Sequence, residues 1–491
     1  MLKLAFLFTD SMVLQRNKEI RVFGACDPGA EVVGTFRGAT AKTVSDDGTF
    51  MLLFPSFDAG KGYELSVKSG NEEIVLKDVA VGEVWIAGGQ SNMEMPIMLA
   101  KNGMFELQYQ KSDNVRYITV ARRHIAGEDT WGWPFMSMKA CDTPWKIAGG
   151  TEGKELSAVA YFFANRVAEQ EDVPVGIIQC NWGGSSVFFW IPRKDMQEDE
   201  GTAKYVAQHF ASIDNMKPED YRPSNKAYVD DMEQRGPTHP LGQGYDFVDH
   251  YANPELFSRY GGTNESMFQS VCPYSIKGVL WYQGESDAIE AEHGYDRYMS
   301  GMKLLRKTWM RDLKQDDLVF ITTLLPAYRN DGENGWCAVR QALIDFELQN
   351  ENVYCINAID MGDEHNIHPI EKQIIGERMA GCALAECYGH DILWRFPAMD
   401  KVYMKDNHVY ISFTNSYGHL IGDHVAIEGF EVETDNGWEP IVVVARENLA
   451  WSKEEIPNAK KVRYLQHNYV FPHLYNSLGL PAMPFMETEV K

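Results

Sequence analysis

A serine in a glycine-rich turn is the first residue of this chain whose setting suggests chemistry. Ser91 lies in Gly88-Gly-Gln-Ser-Asn-Met93, directly after an apolar run, residues 83–88, that predicts a β-strand. A hydroxyl on such a turn projects from the sheet edge, where backbone N–H groups can receive an oxyanion. The segment differs from the G-x-S-x-G turn of α/β-hydrolases. It is compatible with a nucleophile, although a serine in a glycine turn is more often only a turn residue.

Three further polar loops follow other predicted strands. The loop Asn181-Trp-Gly-Gly-Ser-Ser186 contains glycines, which let a carbonyl oxygen approach the backbone closely. In Trp281-Tyr-Gln-Gly-Glu-Ser-Asp287, Gln283 offers a side-chain N–H₂ donor, and Asp360-Met-Gly-Asp-Glu-His-Asn-Ile-His-Pro369 contains two histidines. Each loop alone is a weak signal. Together they supply the Ser, Gly, Gln and His that acyl transfer requires.

The elements that must position these loops alternate between strand and helix. Predicted strands cover residues 83–88, 175–180, 278–283, 318–324 and 353–359, and predicted helices cover 156–168, 295–313, 337–348 and 369–387. Continuous apolar strands alternating with helices predict a parallel sheet covered on both faces. In such sheets ligands gather at the carboxyl ends of the strands, where the four polar loops lie.

The chain divides into three predicted domains. Residues 1–80 read as short strands separated by turns and predict a β-sandwich, residues 81–394 form the α/β domain, and residues 395–491 return to strands. Residues 195–262 are a polar, acidic insertion between two strands of the α/β domain. Such an insertion either shapes a substrate cleft or lid, or is a tolerated surface loop; both interpretations stay open.

Composition and charge exclude several classes of protein. The 491 residues are 44% hydrophobic and carry a net charge of −24, which describes a folded chain that repels nucleic acid. No run approaches the roughly 18 continuous apolar residues of a membrane span. The eight cysteines contain no C-x-x-C pair and are interpreted mostly as buried thiols. The first ten residues do not resemble a signal peptide, so we expect a cytoplasmic protein, or a periplasmic or secreted one whose signal was removed before residue 1.

The polar loops also resemble a known family. Gly89-Gln-Ser-Asn-Met93, Trp182-Gly-Gly184, Trp281-Tyr-Gln-Gly-Glu-Ser286 and Ile367-His-Pro369 are similar to the signatures of the sialate O-acetylesterases, which are SGNH (GDSL-type) hydrolases. Outside the site, the resemblance extends to Asp10-Ser-Met-Val-Leu-Gln-Arg16, Ser157-Ala-Val-Ala-Tyr-Phe-Phe163 and Leu478-Gly-Leu-Pro-Ala-Met-Pro-Phe485. It covers nearly the whole chain except residues 195–262. The resemblance implies an α/β fold with a flavodoxin-like SGNH hydrolase core and a central parallel sheet, flanked by the N-terminal β-sandwich and the C-terminal β-rich region.

The resemblance implies a role for each matching residue. Ser91 would be the nucleophile and His368 the general base. The oxyanion would be held by the Ser91 backbone N–H, by an N–H of Gly183 or Gly184, and by the Gln283 amide. Gln90 and Arg340 are the candidate substrate contacts, with Arg340 equally open to a structural salt-bridge role. Glu285 is expected to order its loop rather than to take part in chemistry.

The acid that orients the histidine departs from the family pattern. Relatives place an Asp two or three residues before the histidine, where this chain has Asn366 and His365. Asp363 or Glu364 could reach round, a backbone carbonyl such as that of Asn366 could accept instead, or the site could work as a Ser–His dyad. We favour the carbonyl or the dyad slightly. His365 competes with His368, but only His368 occupies the Ile-His-Pro position. Because Pro369 suits the first turn of a helix, we expect the positive end of that helix dipole to keep His368 neutral.

The implied function is that of a serine carboxylesterase that removes O-acetyl groups from sugars, most notably 9-O-acetylated sialic acid. Sialic acid is itself anionic, so neutral acetylated glycans of the xylan type are the alternative substrate. A carbohydrate-binding protein without turnover is the rival from another class. We expect no cofactor and no metal, since no zinc-ligand spacing is evident around residues 363–368. The oligomeric state stays open.

Overall fold

The computed structural model describes residues 1–109, 113–122, 144–223, 225, 253–288, 293–329, 335–422 and 426–491. These residues form two compact units, the first made of residues 1–283 and 300–320 and the second of residues 284–299 and 321–491. The helix Gly294–Leu313 and the strand Val319–Thr323 each contain residues of both units. The division also falls between Gln283 and Gly284, inside one of the motifs.

The N-terminal part of the first unit is built from short strands, as predicted. An antiparallel three-stranded sheet contains Lys3–Leu4, Ile20–Ala25 and Thr49–Phe54. A second, larger sheet contains the antiparallel strands Glu31–Phe36, Ala39–Val44 and Gly60–Ser69, and the short Val13–Gln15, which pairs in parallel. The strand Glu72–Gly89 pairs with Gly60–Ser69 at its start and with the parallel strands at its end. The sequence boundary at residue 80 therefore lies inside one 18-residue strand.

The parallel part of this sheet places three strand ends at one level. The parallel strands follow in the order Val115–Thr119, Val175–Asn181, Glu72–Gly89 and Gly278–Tyr282, and Lys146–Ile147 pairs antiparallel with Val115–Thr119. The sequence predicted neither Val115–Thr119 nor Lys146–Ile147. In the parallel registers, Gly89 stands opposite Asn181 on one side and opposite Tyr282 on the other. The loops that follow these three residues therefore leave the sheet side by side.

Helices and tryptophans form the core of the first unit. Its helices are Ser91–Glu94, Gly103–Tyr109, Ala158–Glu171, Arg193–Glu198, Ala203–Asp214 and Gly262–Ser266, with short 3₁₀ turns at Ile97–Leu99, Gly153–Glu155, Val187–Trp190 and Phe268–Ser270. Helix Ala158–Glu171 begins where the hydroxyl of Ser157 accepts the Ala160 N–H, which is an N-cap. The side chains of Trp85, Trp190, Trp281 and Trp309 are fully buried in this core.

The second unit combines helices with an antiparallel sheet. It contains the helices Gly335–Leu348 and Gln373–Tyr388, the 3₁₀ turn Ile359–Met361 and the strand Val353–Ile356. A seven-stranded sheet follows in the order Ala398–Lys405, His408–Thr414, Leu449–Ser452, Gly437–Arg446, Ile427–Thr434, Lys461–Tyr464 and Phe485–Glu489, and Leu420–Gly422 pairs with Leu474–Asn476. The prediction of strands after residue 395 is confirmed. None of the helices in the described ranges is both long and apolar enough to cross a bilayer.

The last helix begins four residues later than the sequence predicted. It starts at Gln373 rather than at Pro369. The side chains of Asp363 and Asn366 accept backbone N–H groups as far as His368 and hold the preceding loop in turns. Ile370 therefore lies outside the helix and is half exposed.

Candidate active site

Gly89 holds the three loops of the first unit together. Its φ is 126°, and a Cβ at this position would lie 2.1 Å from the carbonyl oxygen of Tyr282, so only glycine fits. The same Tyr282 oxygen accepts the N–H of Gln90 at 3.0 Å. The carbonyl of Gly89 accepts the N–H of Trp182 at 3.0 Å. These hydrogen bonds tie the first residues of each loop to the sheet. The sheet therefore fixes where the loops begin.

Ser91 opens the helical turn Ser91–Glu94 and packs against the next loop. Its side chain is buried, with 6% of the residue exposed. A Cβ on Gly183 would lie 3.3 Å from the Ser91 Cβ and 3.2 Å from the Glu94 carboxylate, so the glycine allows this close approach. The Gly183 N–H donates to Glu94 Oε2 at 2.6 Å. Of the two glycines predicted as oxyanion donors, Gly183 therefore already has an acceptor, and Gly184 follows it on the same turn with φ 73°.

Gln283 lies wholly buried beside the same turn. Its Nε2 donates to the Ser185 carbonyl at 3.0 Å and to Gln90 Oε1 at 3.2 Å. Gln90, predicted as a substrate contact, is therefore a neighbour of the predicted oxyanion donor. The structure brings Ser91, Gln90, the Gly183–Gly184 turn and Gln283 together. For the Gln283 amide to donate to an oxyanion, one of its two present hydrogen bonds must break. Catalytic hydrogen bonds often rearrange in this way when substrate binds.

The insertion contributes an aromatic contact to this site. Phe257, near the C-terminal end of residues 195–262, stacks on Trp182 with ring centroids 3.7 Å apart. Trp182 directly precedes Gly183 on the candidate oxyanion turn. This contact favours the interpretation of the insertion as a segment that shapes the site.

The histidine loop lies in the second unit. Asp363 Oδ1 accepts the backbone N–H groups of His365 and Asn366, each at 2.9 Å, and Asn366 Oδ1 accepts the His368 N–H at 2.9 Å. Glu364 binds Arg329 at 2.6 Å. Both acids considered as orienting residues thus take part in forming the loop. The His365 side chain is 79% exposed, whereas His368 is half-buried, which favours His368 as the base.

The environment of His368 keeps its imidazole neutral. Burial, together with the nearby charge of Lys372, lowers the pKa of His368 to about 4. A carboxylate bonded to the ring would raise this pKa, so the downward shift favours a carbonyl or dyad arrangement. The ring is neutral at physiological pH, as predicted, but the cause differs: the helix begins at Gln373, so its dipole is not adjacent.

Lys372 is a residue that sequence reasoning missed. It is almost completely buried, and burial lowers its pKa to about 7, opposed by the charge of Glu285. A lysine four residues after a histidine gives no sign of burial in the sequence. Glu285 carries the charge that faces Lys372, and its expected loop-ordering role stays a prediction.

We expect the acid limb of kcat/KM for p-nitrophenyl acetate to lie near pH 4 rather than at the ordinary histidine pKa of ~6.5. Below that limb His368 gains a proton and can no longer act as a base. Lys372 is protonated below about pH 7 and repels this proton, so Lys372→Met should move the limb to higher pH. His365→Ala is the control and should leave the limb in place. A wild-type midpoint near pH 6.5 would contradict the assignment.

Arg340, the other candidate substrate contact, has a structural role. Its guanidinium is buried and donates to the carbonyls of Leu325 at 2.8 Å and of Pro326 and His467 at 3.0 Å, with a further bond to Asn468 at 3.2 Å. Of the two roles left open, the contacts favour the structural one, although through carbonyls rather than a salt bridge. Among the described residues, no group of three or more His, Cys, Asp or Glu side chains is arranged to hold a metal ion.

Comparisons with known proteins agree with the motifs. The model of the family described as carbohydrate esterase, sialic acid-specific acetylesterase, matches residues 251–386, which include Gln283 and His368. A sialate O-acetylesterase of Homo sapiens is 23% identical over 441 residues, covering 82% of this chain and 74% of its own. That of Mus musculus is 24% identical over 435 residues, covering 80% and 74%. The solved structure of a carbohydrate acetylesterase from Xanthomonas citri has the same fold over 100% of both chains, with a TM-score of 0.79 and 22% identity.

The chain is therefore a carboxylic ester hydrolase with a mixed α/β fold and β-rich regions. Its resemblance to the sialate O-acetylesterases is confirmed, and residues 251–386 carry the sialic acid-specific acetylesterase signature of that family.

Proposed function

We propose that this protein is a serine esterase that removes O-acetyl groups from sugars, on an SGNH hydrolase core of the flavodoxin type. The observation that carries the proposal is the packing of Ser91 against Gly183, beside the buried amide of Gln283, at the ends of three neighbouring strands. Nucleophile and oxyanion donors must lie this close to a common point for acyl transfer. The family match and the curated relatives support the acetyl ester as the bond that is cleaved.

The mechanism is that of an acyl-enzyme. Ser91 Oγ attacks the acetyl carbonyl while neutral His368 takes its proton, and the oxyanion is held by the Ser91 and Gly184 N–H groups and the Gln283 amide. Collapse of the tetrahedral intermediate breaks the ester bond, and the imidazolium gives its proton to the departing sugar oxygen. Water, deprotonated by His368, then attacks the acetyl-enzyme, which releases acetate and restores Ser91.

The orientation of His368 is proposed to come from a carbonyl, or from the loop alone in a Ser–His dyad. The lowered pKa of His368 supports this, as does the use of Asp363 in capping backbone N–H groups. An imidazole needs an acceptor for its second nitrogen, and a carbonyl oxygen satisfies that need.

The proposed substrate is 9-O-acetylated sialic acid, and the relatives named sialate O-acetylesterases support an O-acetylated sialic acid as its class. A specific observation favours neutral acetylated polysaccharides such as xylan as the second candidate. The net charge of −24 repels an anionic sugar, and Arg340, the cation predicted to offset it, donates instead to protein carbonyls.

Mass spectrometry of a panel of acetylated sugars tests the proposal. The wild type is incubated with 9-O-acetyl sialic acid and with acetylated xylo-oligosaccharides, and loss of the acetyl group is measured for each. We expect deacetylation of the sialic acid and none by Ser91→Ala. Faster deacetylation of the xylo-oligosaccharides would select the neutral substrate, and deacetylation of neither sugar would overturn the proposal.

A further inference from the structure

We propose that Glu94, held by Arg122, is a positioning residue that fixes the turn from Trp182 to Ser185 for oxyanion binding. This inference rests on the proposed function and adds two residues to it. Neither belongs to the predicted nucleophile, base or oxyanion donors. Both lie in the first unit beside Ser91, where their contacts are defined.

The Glu94 carboxylate joins two segments of the site. Its Oε2 accepts the Gly183 N–H at 2.6 Å, and its Oε1 lies 2.8 Å from Arg122 Nη1. Arg122 also donates from Nε to the Asn181 carbonyl and from Nη2 to Asn181 Oδ1, each at 3.2 Å. Asn181 is the last residue of the strand that leads into the turn. The pair therefore holds the turn both at Gly183 and at the strand end before it.

These contacts define the plane of one peptide group. The Trp182 carbonyl accepts the Ser185 N–H at 3.3 Å, and Gly184 has φ 73°, as the third residue of a type II turn requires. Both bonds belong to the Trp182–Gly183 peptide, whose carbonyl accepts the Ser185 N–H and whose N–H donates to Glu94, and the Gly183–Gly184 peptide follows it in the turn. Since Glu94 fixes the plane of the preceding peptide, the direction of the Gly184 N–H depends on Glu94.

Burying a carboxylate costs free energy of desolvation unless a charged or hydrogen-bonding partner offsets it. Only 12% of the Glu94 side chain is exposed, and this burial raises the pKa of its carboxyl, while Arg122 and the Gly183 N–H oppose that shift. Hydrogen bonds to an ionised acceptor are shorter and stronger than neutral ones. Because Gly183 also packs on Ser91, a displacement of the turn changes the surroundings of the nucleophile directly.

Kinetics of p-nitrophenyl acetate hydrolysis by Glu94→Ala and Glu94→Gln test this role. We expect Glu94→Ala to lower kcat about 10²-fold with little change in KM, the size of effect that a displaced catalytic group produces. Glu94→Gln keeps an acceptor oxygen but loses the charge, so we expect a loss of about tenfold. Because Arg122 reaches Gly183 through Glu94, Arg122→Met should lower kcat in the wild type, and in Glu94→Ala it should add only the smaller effect of its lost bonds to Asn181.

Glu83→Gln is the matched control. Glu83 is a buried carboxylate of the same unit, paired with Arg16 at the start of the parallel register. Its loss should lower the midpoint of thermal unfolding without changing kcat of the folded protein. If Glu94→Ala does not fold, Glu94→Gln carries the test.

The outcomes separate this inference from the proposed function. Wild-type kcat in either folded Glu94 variant, or a loss confined to KM, overturns the positioning role. Activity retained by Ser91→Ala would instead overturn the serine mechanism itself. A loss of kcat in Glu94→Ala, partly restored in Glu94→Gln, supports the inference.

Discussion

Ser91→Ala and His368→Ala should each abolish the hydrolysis of p-nitrophenyl acetate, whereas Asp363→Ala should keep substantial activity. Ser91 is the proposed nucleophile, and His368 is the neutral base that takes its proton. Members of such a pair act as a unit, so loss of either removes nearly the whole of the rate. The measurement is kcat/KM of each purified variant, with the thermal unfolding midpoint as a check that it folds.

The Asp363→Ala variant tests whether an acid orients the imidazole of His368. Its carboxylate accepts two backbone N–H groups of the histidine loop, so its loss loosens the loop but leaves the imidazole in place. Each lost bond of this kind costs about 1 kcal/mol of stability, which a folded enzyme tolerates. Equal losses in Asp363→Ala and His368→Ala would show that the acid completes a triad and would contradict the dyad or carbonyl arrangement.

The Ser91→Ala variant also separates an esterase from a carbohydrate-binding protein without turnover. A binding protein would show the same absence of hydrolysis in wild type and variant. Among the residues that the structure describes, eight tryptophans are buried, namely Trp85, Trp145, Trp182, Trp190, Trp281, Trp309, Trp336 and Trp394. Their burial supports a core role over a sugar-stacking surface.

The second large effect is expected for Gln283→Ala. Removing one oxyanion donor costs about 3–4 kcal/mol of transition-state stabilisation, so kcat should fall about 10² to 10³-fold. Since this donor acts on charge that develops in the transition state, KM should change little. Steady-state kinetics of p-nitrophenyl acetate hydrolysis give both values.

Gln90→Ala is the matched control for Gln283. It removes the amide partner of Gln283 at 3.2 Å but leaves the proposed donor in place. With a substrate that carries no sugar, we expect a much smaller loss than for Gln283→Ala. Comparable losses in the two variants would mean that Gln283 acts by holding the loops together, through Gln90 and the Ser185 carbonyl, and not as an oxyanion donor.

Local patterns predicted much of the fold. The strands that end at Asn181 and Tyr282, and the helix Gly335–Leu348, follow from apolar runs and periodicity within a few residues. Gly89 could be placed at a strand end because a glycine-rich turn is itself a local signal. The strand Val115–Thr119 was missed.

The candidate residues were recognised in the same way, while their roles depended on distant contacts. Ser91 and Gln283 became candidates because each lies in a polar loop after a predicted strand, and the family resemblance implied their roles. Burial of Lys372, the carbonyl contacts of Arg340 and the Glu94–Arg122 pair appear only in the tertiary structure. The physical reason is that the solvation and bonding of a charged side chain depend on chain segments far away in sequence, which no local pattern contains.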